Sequence, residues 1–125
     1  MIERVSSPRA PKPIGPYSQA IKAGGFLFVS GQLGLDPATG ALPSSVEDQA
    51  RQALNNVYGL LLEAGVGWRN VVKVCIYVTD LSLVGKVNDI YMALLGDAAP
   101  ARTTVAVSSL PRKALVLIDA IAYLG

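Results

Sequence analysis

A few residues able to do acid–base and anion chemistry stand out of an otherwise apolar text. Asp119 lies inside ALVLIDAIAYLG, residues 114–125. Period-two alternation sets Leu115, Leu117, Asp119 and Ile121 on one face of a strand, and Val116, Ile118, Ala120 and Ala122 on the other. A carboxylate in such a run is costly unless a cation, a hydrogen bond or a solvated cleft meets it. Arg102, in AAPARTT at the entry to the preceding strand, is the nearest cation in sequence logic. A hairpin between the last two strands through SSLPRKA would lay Arg102 alongside Asp119. The two would then share one cleft, or form an ion pair that holds strand ends.

Three further features lean toward a site. Tyr17 follows a stiff proline segment, Ser30-Gly31 ends a strand with a small hydroxyl and a glycine, and Asn88 sits beside Tyr91 on a helix. Each also has a plain structural reading, as packing, strand terminus or helix-surface amide. The chain has no histidine. That removes Ser-His-Asp triads, Cys-His dyads and His-based metal sites, and leaves carboxylate, arginine, hydroxyls, backbone groups and water. The single cysteine, Cys75, lies within VVKVCIYV and reads as a small buried strand residue; one cysteine permits neither an intrachain disulfide nor a CxxC motif. Neither GxGxxG nor GxxxxGK[ST] occurs.

The elements that must position these residues are readable from period and punctuation. IERVSS reads as a first strand. Pro8, Pro11, Pro13 and Pro16 then exclude helix over PRAPKPIGP and make it a stiff, extended loop. Gly24-Gly25 between two β-prone runs marks a hairpin joining strands at about 17–23 and 26–31. DPATG, residues 36–40, is a turn. Ser44-x-x-Glu47 reads as a capping box opening a helix over about 45–64, with Ala50, Ala53, Leu54, Val57, Leu61 and Ala64 at helical spacing and Gly65 as its stop. A strand at about 71–79, a second helix at about 82–95, and strands at about 103–109 and 114–123 follow. The order β-β-β-α-β-α-β-β predicts an α+β two-layer sandwich: one mixed six-stranded sheet with both helices on one face.

At 125 residues the text predicts a single domain, 1–125. Charged residues make up 16 %, against roughly 25 % in an ordinary soluble domain, while 51 % are hydrophobic and mean hydropathy is +0.41. The surplus apolar surface is expected to lie between subunits of a homo-oligomer. No segment has the ~18 consecutive apolar residues of a membrane span, and MIERVSSPRAPKP lacks the apolar stretch of a signal peptide, so a cytoplasmic location is expected. A net charge of +2 and seven scattered Tyr and Phe residues without a basic-aromatic patch make a poor RNA surface.

Taken together, PKPIGPYSQAI, FLFVSGQLGLDPATG, QARQALNNV, NVVKVCIYVTDL, VNDIY, PART and IDAIA resemble, in order and almost end to end, the RidA/YjgF family of imine deaminases. The resemblance implies the fold of the trimeric chorismate mutases, a homotrimer with sheets packed around a central barrel and three clefts between neighbours. It implies a 2-iminobutanoate/2-iminopropanoate deaminase that hydrolyses reactive 2-imino acids and their enamine tautomers to 2-keto acids and ammonia, with no cofactor and no metal.

Carried over by position, Arg102 is the anchor for the substrate carboxylate, suited by its two-pronged guanidinium. Tyr17 lines the cleft from the neighbouring subunit, Ser30 and Gly31 follow the third strand, and Asn88 matches a helix asparagine. Thr104 stands where many relatives have cysteine, and its backbone carbonyl and N–H are expected to meet the imine nitrogen. IDAIA replaces the family's IEAIA, so Asp119 takes the place of a glutamate that positions the attacking water. It is shorter by one methylene, about 1.5 Å, and misplacement of that order can cost ~100-fold in rate. Two other readings stay open: a trimer that binds small carboxylates without turning them over, and an endoribonuclease that inhibits translation.

Overall fold

The computed structural model describes residues 1–125. In chain order its elements are β1 (Glu3–Val5), β2 (Ala20–Ala23), β3 (Phe26–Leu33), α1 (Val46–Glu63), β4 (Val71–Val78), α2 (Val84–Leu95), β5 (Ala101–Ala106) and β6 (Val116–Tyr123). They form one six-stranded sheet in the order β1-β2-β3-β6-β4-β5. Every neighbouring pair is antiparallel except β4 and β5. The expected two-layer α+β sandwich with a mixed sheet is what forms.

The expected β5–β6 hairpin does not form. A parallel partner needs a long crossover, and α2 between β4 and β5 supplies one, so β5 docks on the outer side of β4. The last strand then inserts between β3 and β4, antiparallel to both. One strand, β4, and a change of face therefore separate residues that SSLPRKA alone would place side by side.

Alternation decides what is buried. In β6, Val116, Ile118, Ala120 and Ala122 are buried, while Leu117, Asp119 and Ile121 are half-exposed on the other face. The buried row packs on Ala50, Ala53, Leu54, Val57, Leu60 and Leu61 of α1 and on Val87, Tyr91 and Leu95 of α2 within one 23-residue core. Full burial of each large side chain contributes about 2 kcal/mol. Because Val46 belongs to this core, α1 starts one residue later than the Ser44 capping box implied. Ser45 is the N-cap, its hydroxyl accepting from Asp48 N at 3.1 Å. At the far end Gly65, at φ 79°, takes the left-handed stop.

The opposite sheet face carries Phe26, Phe28, Val105 and Tyr123, and nothing in the protomer covers it. Phe28 is 44 % exposed and Tyr123 49 %. Phe26 links two of these rings, 5.4 Å from Tyr123 and 6.4 Å from Phe28 between centroids.

The segment between β1 and β2 has little regular structure, and one side chain holds it. Buried Gln19 accepts from Ser7 N at 2.7 Å, and its amide donates to the carbonyls of Ser7, Ala10 and Pro11 at 3.2, 3.1 and 2.8 Å. The prolines give stiffness, and Gln19 supplies the donors and acceptor that pin them. Gln19→Leu is therefore expected to cost about 2 to 4 kcal/mol in chemical denaturation, since it strands buried backbone groups, and to open residues 8–16 to proteolysis. A variant as stable as the parent would show that the segment is held otherwise.

Candidate functional site

The residues expected to act together fall into two groups on opposite faces of the sheet, one at its β5 edge and one around its central strands. The first is built on β5 and α2. Arg102 and Thr104, two residues apart, are in register with Val74 and Ile76 and share the helix-facing side. From α2, Asn88 and Tyr91, three residues apart, present neighbouring side chains. Arg102 Nε donates to Thr104 Oγ1 at 2.8 Å, and Nη2 donates to Asn88 Oδ1 at 2.6 Å. The guanidinium carbon lies 4.7 Å from the centroid of the Tyr91 ring, a cation–π contact.

Arg102 is half-buried yet has no carboxylate partner. The ion pairs of the chain are Arg51–Asp48 and Arg69–Asp97, both on the surface. A partly desolvated cation without a counter-charge favours an anion from outside. Tyr91 is only 8 % exposed and its hydroxyl has no hydrogen-bond partner. Burial pushes that phenol up from its ordinary pKa, and the positive charge of Arg102 pulls part of the way back. The sequence offered Tyr91 as a core residue of α2. The signal that reveals its second role is the pairing of Asn-x-x-Tyr on a helix with Arg-x-Thr on a strand packed beneath it.

The second group lies around β3 and β6. Ser30 and Gly31 do not end β3 but form a bulge within it. The register passes from Val29 opposite Ala120 to Gln32 opposite Ile118, so two residues of β3 stand against the one residue Asp119. Ser30 is committed locally: its hydroxyl donates to Ser18 O at 2.6 Å and its N–H to Gln19 O at 2.9 Å, which fastens the Tyr17 segment to the sheet. A Cβ on Gly31 would lie 2.7 Å from Leu117 Cδ2, so any larger residue there would make the Leu117 side chain move. Tyr17, 47 % exposed, lines a cavity of about 60 Å³ together with Pro11, Pro13, Ile14, Gly31 and Leu117.

Asp119 is one row along β6 from Leu117, on the same open face. It shares a cross-strand row with Cys75 and Thr103, so Cys75 is half-buried on this face and not in the core. The Tyr77 hydroxyl donates to Asp119 Oδ2 at 3.3 Å, and Lys73 Nζ donates to Thr103 Oγ1 at 2.6 Å. Arg102 faces the other way, so within one chain it neither pairs with Asp119 nor shares a cleft with it. The intervening strand β4 and the alternation of faces separate them.

Burial pushes the Asp119 carboxyl up from the usual aspartate range, opposed by hydrogen bonding from Tyr77 and Cys75 and by the charge of Lys73. An acid raised in this way holds its proton more tightly folded than unfolded. Folded-state stability is therefore lost as pH rises from the ordinary aspartate value through the raised one. Asp119→Asn keeps the size and an oxygen for Tyr77 but removes the titration. Its Tm is expected above that of the parent at about pH 7, with the difference closing by about pH 3. A difference independent of pH would contradict this account of Asp119.

Known proteins resemble this chain over nearly its whole length. The family model described as Endoribonuclease L-PSP matches residues 7–124. A RutC family protein of Pyrococcus horikoshii is 47 % identical over 98 % of this chain and 98 % of its own. The 2-iminobutanoate/2-iminopropanoate deaminase of Mus musculus is 43 % identical over 97 % of this chain and 90 % of its own. Among solved structures, E. coli TdcF with bound serine superimposes with a TM-score of 0.94 at 35 % identity, covering 97 % of this chain and 98 % of that one. The E. coli YjgF gene product gives 0.93 at 36 %, with the same coverage. Fold, colinear motifs and these matches agree that the chain belongs to the RidA/YjgF family, the family of the Endoribonuclease L-PSP model.

Proposed function

We propose that the protein is an imine deaminase: it adds water to the C=N carbon of a 2-imino acid and releases a 2-keto acid and ammonium. The observation that carries this reading is Arg102, a half-buried guanidinium held by Thr104 and Asn88 with no internal carboxylate to satisfy it. Its planar donor fork fits a substrate carboxylate. The naming of the 43 % identical mouse relative supports the reaction, and serine bound to TdcF supports a small amino-acid-like carboxylate as ligand.

The two residue groups lie on opposite faces of the sheet in one chain, so the site in this reading is made between copies of a homotrimer. One copy brings Arg102, Asn88 and Thr104. Its neighbour brings Tyr17, Ser30, Gly31 and Asp119. The uncovered apolar face of Phe26, Phe28, Val105 and Tyr123 supports association. The substrate carboxylate is clamped by Arg102. Since β5 is an edge strand, Thr104 has backbone groups available to orient the iminium nitrogen. Asp119, with its carboxyl already raised toward neutrality, takes a proton from the attacking water and returns it to the departing nitrogen. An iminium carbon is strongly electrophilic, so placement of water and movement of protons suffice, and neither histidine nor a strong nucleophile is required.

The test is release of 2-keto acid when a dehydratase acting on L-threonine supplies the imine. The protein is expected to accelerate release over buffer. Arg102→Ala is expected to lower kcat/KM about 100-fold or more through loss of a charge-assisted clamp. Release no faster than buffer would contradict the deaminase reading, and an undiminished Arg102→Ala would contradict the anchor. Asp119→Asn is expected to lower kcat with little change in KM, because the acid meets water and not the carboxylate.

A further inference from the structure

We propose that Thr104, through its side chain, and Tyr91, through its ring, are positioning residues that hold the Arg102 guanidinium so that its Nη1 side is the edge offered to a ligand carboxylate. This rests on Arg102 being the carboxylate anchor. It assigns the Thr104 hydroxyl a role separate from that of the Thr104 backbone.

A guanidinium has five N–H groups in a fixed plane. Two are used internally, Nε by Thr104 Oγ1 at 2.8 Å and one on Nη2 by Asn88 Oδ1 at 2.6 Å. Nη1 makes no hydrogen bond to the protein, and no carboxylate lies within ion-pair distance of the group. The edge running from Nε to Nη2 is therefore engaged by the chain, and the Nη1 side is available. Three contacts from two elements set the plane: one from β5 along its own strand, two from α2.

The residue types suit that task. Threonine is branched at Cβ, which restricts χ1 and so fixes its oxygen on the strand face shared with Arg102. Tyr91 lays an aromatic face against the guanidinium carbon at 4.7 Å, which fixes the tilt that the two hydrogen bonds leave free. The phenol oxygen takes no part, since it is enclosed without a partner. An arginine immobilised before the ligand arrives does not lose its side-chain freedom on binding, which raises affinity without any new contact to the ligand.

The experiment uses the full chain in four forms: parent, Thr104→Val, Thr104→Ser and Tyr91→Leu. Two quantities are measured, proton exchange at the Arg102 Nε–H by NMR without ligand, and the affinity for 2-oxobutanoate by calorimetry. In the parent the Nε–H is expected to exchange slowly. Thr104→Val, of equal shape but without an acceptor, is expected to lose that protection and bind 2-oxobutanoate about tenfold more weakly. Thr104→Ser is expected to restore both, and Tyr91→Leu, which keeps an apolar side chain but removes the ring, to weaken both; parent values in Tyr91→Leu would overturn the role of the ring. In turnover, Thr104→Val is expected to raise KM with kcat nearly unaltered. Equal Nε–H protection in the parent and Thr104→Val would overturn the proposal, as would unchanged affinity in that variant. Failure of the parent to bind 2-oxobutanoate would remove the anchor itself, while the ligand-free exchange rates still decide whether Thr104 fixes Arg102.

Discussion

A guanidinium withdrawn from water without a counter-charge is the constraint on which this molecule turns. Most buried cations are neutralised by an acid of the same chain. Arg102 is met only by neutral groups, a hydroxyl, an amide oxygen and an aromatic face. Those contacts fix its direction but leave its charge unbalanced, so the site is poised for an anion. The parallel β4–β5 pair and the crossover helix α2 exist, from this viewpoint, to bring Arg-x-Thr on a strand under Asn-x-x-Tyr on a helix.

The rest of the sheet prepares the other half. The Ser30-Gly31 bulge, the glycine that lets Leu117 approach, and the glutamine that pins the proline segment all converge on the cavity beside Tyr17. Asp119 stands next to the bulge on the face that the protomer leaves uncovered. Its carboxyl is raised by that half-buried setting, and its negative charge in turn raises the neighbouring Tyr77 phenol. In the proposed reading neither half is a complete site, and chemistry is linked to association: a chain unable to meet its copies would keep its fold and lose its reaction centre.

How much of this was legible in the sequence depends on the range of the interaction. Local patterns were read well. Helix α1, its glycine stop, the Gly24-Gly25 hairpin and the two faces of β6 follow from periods and turn residues that act within a few positions. The capping serine was displaced by one because Val46 is claimed by the core, a tertiary effect that local capping rules do not contain. Strand pairing was the main failure. A short connection between β5 and β6 suggested a hairpin, yet a long-range competition decided the order, with β6 fitting antiparallel between β3 and β4. The same step hid the opposed faces of Arg102 and Asp119. The site residues carried over by resemblance fall into two separate groups within one chain, and Tyr91, noted only as the neighbour of Asn88, reads first as packing because it is an aromatic on the apolar side of a helix.

The most direct measurement of the central claim is a crystal structure of the protein with 2-oxobutanoate bound. The account predicts the ligand carboxylate on the Nη1 side of Arg102, with Tyr17 and Asp119 of a second copy closing over its far side and a water between Asp119 and the keto carbon. A ligand bound away from Arg102, or held on Arg102 with no second copy bringing an acid to it, would contradict it.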